Sequence, residues 1–264
     1  MKPVWRGCAT RGAGMVRAAV QEGPEGRAPL LFLCEHASHH IPPRFGTLGL
    51  DPALLTSHIA WDPGALALAR TLSAALHAPL VAGAVSRLVY DCNRPPEAPD
   101  AIPVRSEMHD IPGNRDLSAA ERQARVDAVY RPFCAAVSAA IERARPAALV
   151  TVHSFTPVFF GRPRAVEIGV LHDADTRLAD ALLRRLAAAA PGRDIRRNEP
   201  YGPQDGVTHS LVAHGIRHGL ANVMLELRND LLADDAGVAA MADLVAPALA
   251  AALSDCGIEL RGAA

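Results

Sequence analysis

Aromatic residues make up only 4% of the 264-residue chain, and 27 Lys and Arg nearly cancel 28 Asp and Glu, leaving a net charge of −1. A nucleic-acid-binding surface needs a basic face, often interleaved with aromatics, so these counts argue against that class of partner. The five cysteines (Cys8, Cys34, Cys92, Cys134, Cys256) are odd in number and form no C-x-x-C pair. Such spacing does not describe a disulfide framework and fits reduced thiols in a cytoplasmic protein. No uninterrupted apolar run approaches the roughly 18–20 residues of a membrane span, so no membrane partner is expected. The first 28 residues also lack the apolar stretch of a signal peptide.

What is present is a large apolar fraction, 50%, enough for a sizeable buried core. Residues 1–28 are rich in Gly, Arg and Ala without periodicity, and are expected to be a disordered extension, with Met15 as a candidate start. Residues 29–264 are expected to form a single domain. Short apolar runs at 30–34, 80–85, 88–90, 148–152, 166–171 and 222–227 predict buried strands. Longer Ala/Leu/Arg segments at 64–77, 118–144, 175–190, 208–218 and 236–253 carry helical spacing. Ser118 and Glu121 have the spacing of a capping box. Alternating strands and helices predict an α/β fold, a single three-layer domain with a mostly parallel or mixed sheet and helices on both faces. Proline-rich stretches at 91–113 and 198–206 break the rhythm and are expected to wall a site.

In open α/β sheets, ligands bind outside the carboxyl ends of the strands. The run ending at Cys34 is followed by Glu35, His36, His39 and His40, the run ending at Val152 by His153 and Ser154, and the run ending at Tyr90 by Asp91, Asn93 and Arg94. Glu226 lies between Met224, Leu225 and Leu227, and Arg228 follows. A carboxylate on an apolar strand is costly to desolvate unless it is paired or functional; an ion pair with Arg228 is the structural alternative. Asp62, ahead of Pro63 and Gly64, reads equally as the N-cap of a helix. Two imidazoles and a carboxylate suit zinc with one position open to water, although iron, cobalt or manganese fit a similar set. A nearby glutamate can then move the water's proton, and arginines after strands suit a substrate carboxylate.

These residues resemble the N-formylglutamate amidohydrolase family. The resemblance rests on Cys34-Glu-His-Ala-Ser38 with Ile41-Pro42, Asp62-Pro-Gly-Ala65, Ser86-Arg-Leu-Val-Tyr-Asp-Cys-Asn-Arg-Pro95, Ile111-Pro-Gly-Asn114, Val152-His-Ser154, His214-Gly215 and Leu225-Glu-Leu-Arg-Asn-Asp-Leu231, in order from about residue 29 to 253. It implies a phosphorylase/hydrolase-like fold similar to the zinc carboxypeptidases. It further implies zinc held by His36, Asp62 and His153, with Glu35 as the alternative carboxylate, since a carboxypeptidase pattern would place a glutamate where His39 stands. Glu226 becomes the catalytic base, with His214 as a second catalytic residue, and Arg87, Asn93, Arg94 and Arg228 become substrate-binding residues. The implied reaction is hydrolysis of the N-formyl or another N-acyl amide of a small acidic amino acid. The stretch Val212-Ala-His214-Gly215 departs from the Arg-His-Tyr-Gly of the histidine-degrading members, so the resemblance is firmer for an N-acyl amino acid than for formylglutamate. Three other readings compete: a zinc peptidase or amidase on peptide or cell-wall fragments, a metal-free carboxylate-binding protein using Arg87, Arg94 and Arg228, and a cysteine hydrolase built on Cys34 and His36. Composition sets no oligomeric state.

Overall fold

A computed structural model describes residues 16–260. Its strands are β1 (Ala19–Glu22), β2 (Leu30–Cys34), β3 (Leu80–Gly83), β4 (Arg105–Ser106), β5 (His109–Asp110), β6 (Ala148–Phe155), β7 (Val158–Phe159), β8 (Arg162–Pro163), β9 (Ile168–Leu171), β10 (Ile195–Arg197) and β11 (Ala221–Arg228). The α-helices are α1 (Ala65–Ala75), α2 (Ala119–Arg125), α3 (Arg131–Ala144), α4 (Arg177–Ala189) and α5 (Asp235–Asp255). Seven strands form one mixed sheet in the order β1-β3-β2-β6-β11-β9-β10, while β4-β5 and β7-β8 are separate hairpins. β3, β2, β6 and β11 run parallel in succession, so their carboxyl ends open on one side.

The central strands are buried on both faces, which is why their sequences read as unbroken apolar runs. Leu30, Phe32, Val150, Val152, Val223 and Leu225 pack against α1, α4 and α5. Leu31, Leu33, Leu149 and Met224 join Phe133 and Val137 of α3 and Leu211 in a second core on the opposite face. This is the expected three-layer α/β domain. The capping box forms, with Ser118 Oγ accepting from the Glu121 amide and Glu121 returning to the Ser118 amide, and it fixes where α2 begins.

Three of the expected assignments change. Ala19–Glu22, within the stretch expected to be disordered, pairs antiparallel with β3 as an edge strand, because main-chain hydrogen bonds need no apolar pattern. Residues 1–15, including Met15 and Cys8, lie outside the described residues. Leu88–Tyr90 is not a strand: Ser86 folds it into a turn, accepting from the amides of Leu88 and Val89 and anchoring its own hydroxyl on the Ala60 carbonyl. The segment 208–218 is π- and 3₁₀-helical rather than a regular α-helix. α5 is long and apolar enough by length and composition to cross a membrane. Its alanines produce that character, and Val245, Leu249 and Leu253 are packed in the core. The four cysteines among the described residues are free thiols.

Candidate active site

The parallel strands deliver the candidate residues to one place. Glu35 and His36 follow β2, His153 is on β6, and Glu226 on β11 is the register partner of His153. Asp62 arrives from the segment before α1. It is not the N-cap: α1 begins after Gly64, which has φ +80° and makes no side-chain cap. A Cβ at Gly64 would also lie 2.3 Å from that of Leu232, so only glycine permits this turn. The Asp62 carboxylate therefore turns inward. Its Oδ2 lies 3.3 Å from His36 Nδ1 and 2.9 Å from His153 Nδ1, and its Oδ1 accepts from Arg87 at 3.3 Å.

Each imidazole has a carboxylate on its far nitrogen. His36 Nε2 lies 2.7 Å from Asp91 Oδ1. His153 Nε2 is in ion-pair contact with Glu35 Oε2 at 3.1 Å, without the alignment of a hydrogen bond. Both rings thus present Nδ1 toward Asp62, and second carboxylates behind metal-ligating histidines fix ring orientation in this way. Donor atoms of His36, Asp62 and His153 lie within 4.8 Å of one another, and all three residues are buried. The edge of a tetrahedron with bonds of about 2.0–2.1 Å is about 3.4 Å, comparable with the two Nδ1–Oδ2 separations. Glu35, the alternative ligand, is on the wrong side of His153 for this cluster.

Electrostatics agree with a cation site. Glu35, Asp62, Asp91 and Glu226 are buried carboxylates, and Arg87, bonded to Asp62 and Asp91, is the permanent cation among them. Burial alone would raise Asp62, Asp91 and Glu35, but the charges of His36 and His153, and of Arg87 at Asp91, hold them below the ordinary carboxylate range. Burial likewise opposes a proton on His153, yet Glu35 and Asp62 raise its pKa well above normal. So much buried negative charge requires positive charge in the cluster, as protonated imidazoles or as a metal ion. Glu226 differs: burial dominates and pushes its carboxyl up to about 7.

A cavity of about 390 Å³ opens over this group, and His36, Asp62, Arg87, His153 and Glu226 line it. Asn93 and Arg94 also line it, but their polar atoms are largely engaged. Asn93 donates to the Val207 carbonyl and accepts from the Ser210 amide at 2.9 Å. Arg94 donates to Asp100 at 2.8 Å and to the carbonyls of Asp205 and Gly206. Together they hold the 198–206 loop as a wall of the cavity. Arg228 is not among the lining residues; it pairs with Asp230 at 2.8 Å and donates to the carbonyls of Arg164 and Ala165 at 3.1 Å each. It does not pair with Glu226. His214 also falls outside the cavity lining, buried on the π-helical segment, where burial depresses its pKa to about 4. His39 is exposed and stacks edge-on against Trp61.

Sequence reasoning placed Asp91 at the sheet edge without a role, and missed Arg164 and Tyr201. Asp91 follows a short apolar run, but nothing in its spacing reveals that it meets His36. Arg164 and Tyr201 meet through a hydrogen bond of 2.8 Å between segments 37 residues apart.

The N-formylglutamate amidohydrolase family model matches residues 28–233. The chain belongs to this family of hydrolases. It is similar to a gene product of Agrobacterium tumefaciens known from a crystal structure, with 52% identity, a TM-score of 0.85, and 92% of this chain and 97% of that chain covered. It also shares its fold with the N-formylglutamate amidohydrolase of Ralstonia eutropha, at 22% identity and a TM-score of 0.68, over 92% of this chain and 98% of that one. No curated protein matches it at a significant level.

Proposed function

We propose that the protein hydrolyses the N-formyl or another N-acyl amide of an acidic amino acid, with His36, Asp62 and His153 as ligands to a divalent metal such as zinc. The observation that carries this reading is the placement of Glu226 beside His153 in the same buried register, facing the three converging donors. A zinc ion, when bound, supplies a Lewis acid that polarises the amide carbonyl and acidifies water. Glu226, with its elevated pKa, takes the proton of the attacking water and returns it to the amide nitrogen as the C–N bond breaks. The products are a carboxylic acid, formic acid for a formyl substrate, and the free amino acid. Asp91 and Glu35 hold the two imidazoles, and Arg87 holds Asp62 and Asp91, so that the donors stay converged. Asn93 and Arg94 position the cavity wall instead of gripping substrate directly.

The test is amine release from N-formyl-L-glutamate, other N-acyl amino acids and short peptides, with metal content measured on the same preparation. The expected result is about one metal per chain and chelator-sensitive turnover of N-acyl amino acids over peptides. Full activity of a metal-free protein would overturn the metal role; preference for peptides would move the reading to the peptidase alternative.

A further inference from the structure

A substrate carboxylate needs a cation whose donors are still available. Arg87 gives both terminal nitrogens to Asp62 and Asp91, and Arg94 and Arg228 are engaged as described. Arg164, following β8, differs. Among the described residues no carboxylate pairs with it, and only Nη1 of its side chain finds protein acceptors, the Tyr201 hydroxyl at 2.8 Å and the Thr156 carbonyl at 3.5 Å. Its guanidinium lies over three rings, 4.3 Å from the centroid of Phe159, 4.8 Å from Tyr201 and 5.6 Å from Phe155. All three rings line the cavity that contains Glu226, while Arg164 itself is half-buried against them and is not a lining residue. The backbone is fixed as well, since the Arg164 amide donates to Pro157 and its carbonyl accepts from Arg228.

Aromatic faces hold the plane of a guanidinium and exclude water from it, yet they leave its donor edge unsatisfied. A fork held in one plane, with free Nε and Nη2, is prepared for a bidentate carboxylate. The Tyr201 hydroxyl accepts from Arg164, so its own proton remains free for the same ligand. Arg105 also lines the cavity, but it is exposed on the β4-β5 hairpin, bonded only through Nε to the Glu107 carbonyl, with no ring against it.

We propose that Arg164, with Tyr201, is the specificity-determining pair that binds a carboxylate of the substrate. The inference rests on the amidohydrolase reading above and names the residues that select its acidic substrate; an analogue in which the bound carboxylate is replaced by a carboxamide is discriminated against at this position. Arg228, expected from sequence to touch substrate, then acts one step removed by holding the Arg164 backbone.

The experiment compares N-formylglutamate with its carboxamide analogues, using the zinc-supplemented full chain as wild type, Arg164→Ala, Arg164→Lys and Arg105→Ala, with thermal unfolding as a folding control. Binding of N-formylglutamate to the Glu226→Gln protein, with and without Arg164→Ala, is measured by calorimetry. Loss of a charged hydrogen-bonded pair is expected to raise KM for the carboxylate substrate about 30–100-fold in Arg164→Ala. Arg164→Lys should recover part of this, while the KM of the one carboxamide that already lacks the bound carboxylate, and the Arg105→Ala protein, change by less than about threefold. Equal losses on both substrates, no loss, or a loss that moves to Arg105 would each overturn the proposal. A wild type that hydrolyses neither compound but binds N-formylglutamate through Arg164 would sink the hydrolysis reading and leave the carboxylate site standing.

Discussion

Glu226 and His153 stand opposite each other on adjacent parallel strands, on the face where Thr151 and Met224 also lie. Neighbouring strands are about 4.8 Å apart, so the carboxylate proposed to move the proton and one imidazole of the cluster share a rigid frame that loop motion does not disturb. Glu226→Gln keeps the shape and removes the basicity. Turnover is expected to fall by about 10²–10⁴-fold with the metal content unchanged, as read by steady-state rates and elemental analysis. A variant that loses metal in parallel with activity would make Glu226 a ligand instead.

Asp91→Asn tests the carboxylate behind His36. Removing such a partner weakens metal affinity by about 10–100-fold, which competition with a chromophoric chelator reports directly. Because Asp91 also pairs with Arg87, the Arg87→Gln variant separates the two roles: affinity lost equally in both would assign the effect to the salt-bridged network and not to His36.

Gly83 closes β3 where the chain after β2 passes within contact: a Cβ there would lie 2.0 Å from the Glu35 carbonyl oxygen. Backbone cannot yield as a flexible side chain can, and overpacking of this kind costs about 1–3 kcal/mol. Gly83→Ala should lower stability by that amount in denaturant titrations and reduce turnover, since Glu35 and His36 must shift together. Wild-type stability in the alanine variant would show that the two strands are free to separate.

His214 gives a pH dependence. Its folded-state pKa of about 4 is below the ordinary 6.5, so the folded protein binds fewer protons than the unfolded chain between these values. Stability from this group is intact above pH 6.5 and declines as the pH falls toward 4, by about 3 kcal/mol at most. His214→Gln should therefore lose less stability than wild type across that window. Parallel stability curves for the two proteins would contradict the assignment.

The sheet, its helices and three residues of the site are legible in the sequence alone, because His36, His153 and Glu226 end or interrupt strong apolar runs and strand ends converge by topology. The choice between Asp62 and Glu35 could not. Both lie near the histidines in sequence logic, and only the fold determines which ring nitrogen each one faces. The engagement of the arginines was illegible for a related reason: sequence shows that a guanidinium follows a strand but not that Asp230 accepts from Arg228 or the Gly206 carbonyl from Arg94. Arg164 stayed hidden because its partners Phe155, Phe159 and Tyr201 come from three separate stretches of chain.

The edge strand Ala19–Glu22 bears on how the protein should be handled. A domain boundary drawn at residue 29 would strip β3 of its neighbour and leave a row of unpaired amides and carbonyls along Leu80–Gly83. Open edges of that kind template pairing between molecules. A shortened chain cut there would risk aggregation even with every residue of the cavity intact, whereas one beginning at residue 16 would keep Leu80–Gly83 paired.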